Sequence, residues 1–173
     1  MNAPQALPDS PRAAYARALS AGFVVDAAQR HAVEALQQCF EAVQRDERPL
    51  GVYLWGPVGR GKTWLMDSFY NALRVPARRQ HFHHFMQWVH RRQFQLSGYA
   101  DPLRLLAEEL GREVRVLCFD ELFVSDIGDA MLLGRLLSLV VEQGVVLVAT
   151  SNQPPDQLYA EGYNRERFLP AIA

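Results

Sequence analysis

Apolar positions along this chain keep two rhythms, and the alternation between them predicts the architecture. Helical spacing comes first, with Tyr15 and Leu19 following Arg12, a break at Gly22, then Ala28, Val33, Leu36, Phe40 and Val43. The second run predicts a helix from Ala27 to about Gln44 with Asp26 as its N-cap. Residues 51–55 (GVYLW) form a short apolar run of strand type, and Leu65, Met66, Phe69, Tyr70 and Leu73 line the inner side of the next helix. Alternation through His81, Phe82, His83, His84 and Phe85 predicts a strand running into a helix from about Gln87. It would place His81 and His83 on one strand face and His84 on the other. Gly98 and Pro102 bracket a turn before a short helix over 102–110. Residues 115–119 (RVLCF) read as a buried strand. Asp126 then caps a helix from 127 to about 143 that turns Met131, Leu132, Leu133, Leu136, Leu137 and Val140 inward. Gly144 ends that helix, 145–150 (VVLVAT) is a further strand, and the closing RERFLPAIA reads as helical.

Strands alternating with helices predict an α/β domain, a parallel sheet covered by helices on both faces. Residues 1–11 carry three prolines and few large apolar groups and read as a disordered lead-in. Residues 12–48 form an N-terminal helical element, and 49–173 the core.

Composition narrows the function classes. With 173 residues, 49% hydrophobic and 21% charged, the chain can build one real core. A net charge of −1 argues against a nucleic-acid field, and no polybasic run would hold a membrane surface. No apolar stretch approaches the roughly 20 residues of a membrane span, and the opening residues lack the charged start and apolar centre of a signal peptide. Two cysteines, Cys39 and Cys118, make no disulfide framework, so a reducing, cytoplasmic compartment is expected. His81, His83, His84 and His90 are joined by no cysteine or carboxylate at a metal spacing and are read as structural or surface groups.

The chemistry begins where the run at 51–55 meets a glycine-rich loop. Gly56, Gly61, Lys62 and Thr63 satisfy the phosphate-loop spacing G-x-x-x-x-G-K-[ST], between a strand and a helix. Successive backbone N–H groups in such a loop make an anion-binding concavity, and the helix start adds a positive dipole end. The predicted nucleotide contacts are Gly56, Pro57, Val58, Gly59, Arg60, Gly61, Lys62, Thr63 and Trp64. Lys62 reaches the β- and γ-phosphates, and the Thr63 hydroxyl ligates Mg²⁺.

Two further motifs extend the reading to ATP hydrolysis. The buried-type strand 115–119 leads directly into Asp120-Glu121. Asp120 is expected to orient Mg²⁺ through its water shell, and Glu121 to polarise the attacking water. Thr150-Ser151-Asn152 caps the strand expected between the other two motif-bearing strands, with Asn152 as the γ-phosphate sensor. Arg167, with Arg165 second, is the candidate arginine finger reaching a neighbouring subunit's γ-phosphate.

Taken together, GVYLWGPVGRGKTWLMDSFY, HFHHFMQWVH, LCFDELFVSDIGDAMLLGRL and LVATSNQPPDQLYAEGYNRERFLPAI resemble the ZapE-type cell-division ATPases of bacteria, AAA+ proteins with mitochondrial relatives. The resemblance covers the chain from about Tyr15 to its end. It implies Mg²⁺-dependent ATP hydrolysis, contact with the tubulin-like protein FtsZ or another protein partner, and assembly into a homo-oligomeric ring. By position it makes Lys62 and Thr63 the Walker A pair, Asp120 and Glu121 the Walker B pair, Asn152 sensor 1 and Arg167 the finger. The segment with Tyr15, Gly22, Asp26 and Gln29 resembles the family element near the adenine. His84 stands where the family often has arginine.

The family continues past FLPAI through a fifth core strand and a helical lid. Its strand order, 5-1-4-3-2, would leave residues 51–55 as a sheet edge here. ATP or ADP binding with little hydrolysis is the resulting expectation. Two other functions share the motifs: an AAA+ helicase loader or replication initiator, and a nucleotide-gated binding module that does not turn over.

Overall fold

The computed structural model describes residues 10–22, 26–57, 61–124 and 126–153. Among them, ten elements follow in order: α1 (Pro11–Ser20), α2 (Ala27–Gln44), β1 (Val52–Trp55), α3 (Lys62–Ala72), β2 (Ala77–His81), α4 (Phe82–Gln95), α5 (Pro102–Glu113), β3 (Val116–Asp120), α6 (Ile127–Glu142) and β4 (Val146–Ser151). The four strands make one parallel sheet in the order β1-β4-β3-β2. β4 therefore lies between the phosphate-loop strand and the Asp-Glu strand, as the sequence predicts. β1 is at an edge among the described strands.

Side-chain alternation in the central strands divides the core in two. Val116 and Cys118 of β3, with Val146 and Val148 of β4, face one layer, where they meet Tyr15, Leu36 and Phe40 of α1 and α2 and Leu65, Met66 and Phe69 of α3. Leu117, Phe119, Leu147 and Ala149 face the other, against α4, α5 and α6. Both faces are buried, which explains the unbroken apolar runs of β3 and β4.

Several element ends follow from single residues. Asp26 accepts from the Ala28 N–H and Asp126 from the Asp129 N–H, each satisfying a donor that a helix start leaves open. Ser10 does the same for α1, which begins at Pro11, one residue before the expected Arg12.

Two expectations fail. The strand read through Phe85 ends at His81, and α4 starts at Phe82 rather than near Gln87. Phe82, Phe85, Met86 and Val89 are all buried, a helical spacing. His83 and His84 thus lie in the first turn of α4 and not on a strand. Met131 is 51% exposed, whereas Leu133, Leu136, Leu137 and Val140 of the same helix are buried as expected. The terminal stretch read as helical lies outside the described residues.

Candidate nucleotide site

The site forms where the strands deliver their carboxyl ends. β1 runs into Gly56, whose N–H donates to the Ser151 carbonyl at 3.3 Å and fixes the loop's start to β4. α3 begins after Gly61, which takes a left-handed conformation (φ 81°) that only glycine adopts freely. Its N-cap residue, Gly61, has no side chain to cap the helix start, which lines the cleft with its positive end. Lys62 folds back across the loop, its Nζ donating to the Gly56 carbonyl at 2.6 Å and the Pro57 carbonyl at 2.8 Å. Partial burial pushes its pKa down, because an ammonium group loses hydration there. Thr63 is exposed in the first turn of α3. Val58, Gly59 and Arg60 lie outside the described residues.

Opposite the helix start, β3 ends in Asp120 and Glu121. Asp120 is buried, and both its oxygens accept from one guanidinium: Arg79 Nε to Oδ2 at 2.8 Å and Nη2 to Oδ1 at 3.0 Å. Arg79 Nη1 also donates to Asp67 of α3. Asp120 foremost, then Asp67, raises the arginine's pKa further above its ordinary range. Glu121 has a positive φ of 57°, uncommon for a residue with a β-carbon. Its backbone is pinned there: the Glu121 N–H donates to Thr150 Oγ1 at 3.0 Å, and the Leu122 N–H donates to the Thr150 carbonyl at 2.7 Å. The turn leaves the Glu121 side chain exposed at the cleft.

The β4 end completes the frame. Ser151 Oγ donates to the Leu122 carbonyl at 2.8 Å and accepts from the Gln153 N–H. Tyr53 holds the next turn through its hydroxyl, which donates to the Gln153 carbonyl at 2.7 Å. Asn152 sits between these anchors, exposed at the cleft. Gly61, Lys62, Thr63, Trp64, Asp67, Glu121, Thr150, Ser151 and Asn152 line a cleft of about 470 Å³. The structure therefore gathers Lys62, Thr63, Glu121 and Asn152 around one opening, with Asp120 just beneath. Arg165 and Arg167 lie outside the described residues. From the far side, the Gln29 side chain of α2 comes within 3.3 Å of where a β-carbon on Gly61 would stand.

Sequence reasoning missed Arg79, Asp67 and the role of Thr150. Arg78 and Arg79 are adjacent in a strand that pairs with the buried β3. Alternation sends them to opposite faces, Arg78 over the Trp88 ring at 4.7 Å and Arg79 to Asp120.

A family model described as AFG1-like ATPase matches residues 4–173. The chain belongs to the AFG1-like ATPase family. It is 57% identical to the cell division protein ZapE of Escherichia coli over 123 residues, 70% of this chain and 33% of that one. To lactation elevated protein 1 homolog B of Danio rerio it is 40% identical over 144 residues, 76% of this chain and 29% of that one. The chain thus spans about a third of the length of these curated relatives. Its fold is similar to domain III of the Thermotoga maritima replication initiation protein DnaA, with a TM-score of 0.65 at 20% identity, covering 87% of this chain and 62% of that one. The fold is a P-loop NTPase sheet flanked by helices. Among the described residues no helix is long and apolar enough to cross a membrane.

Proposed function

We propose that this chain binds ATP with Mg²⁺ in the cleft between α3 and the Asp120-Glu121 turn and hydrolyses it, slowly, to ADP and phosphate. One observation carries the reading: the helix start at Gly61 and the Lys62 ammonium share a single cleft with the Glu121 side chain, which directly follows the buried Asp120 at the end of β3. Lys62 exchanges two carbonyl partners for phosphate oxygens, which as charged acceptors bind it more strongly. Glu121, exposed on its pinned backbone with His81 Nδ1 3.9 Å from its carboxylate, polarises the attacking water. Asn152 orients that water from the β4 end. Thr63 and Asp120 offer hard oxygen donors that fit Mg²⁺, and with both Asp120 oxygens engaged by Arg79, Asp120 suits contact through the ion's waters. The bound ion neutralises charge on the β- and γ-phosphate oxygens.

Arg167, with Arg165 second, supplies the transition-state cation to a neighbouring copy in a homo-oligomeric ring. The placement of Gln29 beside Gly61 supports a role for the N-terminal helices, residues 12–48, beside the nucleotide. Identity to ZapE supports action on a protein partner of bacterial cell division in the cytoplasm, with FtsZ the first to test, over replication loading.

Titration with a fluorescent ATP analogue is the deciding experiment. Saturable binding that unlabelled ATP reverses, strengthened by Mg²⁺ and accompanied by slow phosphate release, is expected. No binding overturns the reading, and binding without phosphate release reduces it to a nucleotide-gated module.

A further inference from the structure

Arg79 joins three elements. It projects from β2, holds both oxygens of Asp120 on β3, and reaches Asp67 on α3. Asp67 lies four residues beyond Thr63, hence on the same helix face, and it lines the cleft. The Arg79 side chain is only 19% exposed, and that of Asp120 only 11%. Two carboxylates share one guanidinium, so the cluster carries about one negative charge where it would otherwise carry two. The carboxylate best placed to attract a cation already accepts two charge-assisted hydrogen bonds.

We propose that Arg79 is a positioning residue that withholds Asp120 and Asp67 from divalent cations until a nucleotide arrives, making cation binding in this cleft conditional on the triphosphate. The inference rests on the nucleotide reading above. A cation entering alone meets a fixed guanidinium and an engaged carboxylate. A cation entering with a triphosphate brings its own anionic ligands, which offset the guanidinium's repulsion. The bidentate grip also fixes the plane of the Asp120 carboxylate before the cation's water shell reaches it.

A purely structural strut between β2 and α3 would lower stability when removed and leave cation affinity alone, so the test reads cation affinity. Mn²⁺ serves as the probe, its free aquo ion followed by electron paramagnetic resonance in the purified protein without nucleotide. Arg79→Met is expected to bind Mn²⁺ about tenfold or more tightly than the unsubstituted protein. Adding Asp120→Asn to Arg79→Met should reverse the gain. If Arg79→Met does not fold, Arg79→Lys carries the same comparison, because one ammonium cannot grip both Asp120 oxygens and Asp67 in the same planar array. With ATP present, the unsubstituted protein is expected to take up Mn²⁺. Equal Mn²⁺ affinity in the folded variant and the parent overturns the proposal, as does tight Mn²⁺ binding by the parent without nucleotide. Failure of the parent to bind ATP would remove the nucleotide reading instead, since the comparison without nucleotide stands apart from it.

Discussion

The two ends of the sheet are built differently. At the carboxyl ends of β3 and β4 the buried residues are polar: Asp120, Thr150 and Ser151. Each is held by long-range partners, namely Arg79, the Glu121 backbone and the Leu122 backbone. At the amino ends, closure is backbone to backbone: the Arg115 N–H donates to the Pro76 carbonyl at 2.8 Å, and the Val146 N–H to the Arg115 carbonyl at 2.9 Å. There Gly51 lies so close to β4 that a β-carbon would stand 2.0 Å from the Leu147 carbonyl oxygen. The amino end packs tightly at Gly51 and leaves only a small pocket of about 90 Å³, lined by Arg48, Leu50, Gly51 and Val145 among others. The carboxyl end opens into the cleft of about 470 Å³, where ligands of parallel α/β sheets bind. Glu121, with its positive φ, places backbone strain of about 1–3 kcal/mol at that end. Substitutions at the carboxyl end should therefore act on chemistry, and those at the amino end on stability.

The largest effect is expected at Glu121. Glu121→Gln removes the group proposed to polarise water while keeping its shape, so single-turnover phosphate release should fall about 10³-fold, roughly 4 kcal/mol. Nucleotide affinity and melting temperature should stay at parental values, because the side chain is exposed and the pinning bonds belong to its backbone. Undiminished phosphate release would move the base to another residue. Lys62→Ala comes second. Losing a charged donor to phosphate should weaken ATP binding about a hundredfold, near 2.7 kcal/mol. Unchanged affinity would mean that Lys62 keeps its Gly56 and Pro57 carbonyls when nucleotide is present.

The contrast between the two ends was unevenly legible in the sequence. α2 and its Asp26 cap, and the apolar runs of β3 and β4, depend on local rhythm, and local rhythm foretold them. The phosphate loop is a local motif, and the sheet order brings Lys62, Glu121 and Asn152 to one cleft. The β2–α4 junction was misread because His-Phe-His mimics strand alternation, while the buried set Phe82, Phe85, Met86 and Val89 keeps helical spacing. Arg79 and Thr150 were missed for another reason. Their partners lie far along the chain, Arg79 to Asp120 across 41 residues and Thr150 to Glu121 across 29. No local pattern carries a contact that only sheet register creates.

The amino end is tested at Gly51. Gly51→Ala must push β1 away from the Leu147 carbonyl, destabilising the fold by about 2 kcal/mol. For a chain of this size that lowers the melting temperature by roughly 4–8 °C. Below the transition, ATP affinity should be that of the parent. A parallel loss of affinity would show that strain at the amino end of β1 travels to Gly56, and the separation of the two ends would be lost.

Thr150→Val is the smallest of these effects and the sharpest test, because Thr150 belongs to both behaviours. The substitution keeps the β-branched shape that β4 buries but removes the oxygen that accepts the Glu121 N–H at 3.0 Å. An unsatisfied backbone donor costs about 1–3 kcal/mol when buried, and this one lies in a partly buried turn, so a stability loss of about 1 kcal/mol is expected. The Leu122 N–H to the Thr150 carbonyl remains and keeps the turn closed. Without its second tether, Glu121 should relax from its positive φ, and phosphate release should fall while ATP affinity holds. If release is unchanged and only the melting temperature moves, Thr150 is a structural residue at the carboxyl end. The rule dividing the two ends would then apply to Asp120 and Glu121 but not to the strand beside them.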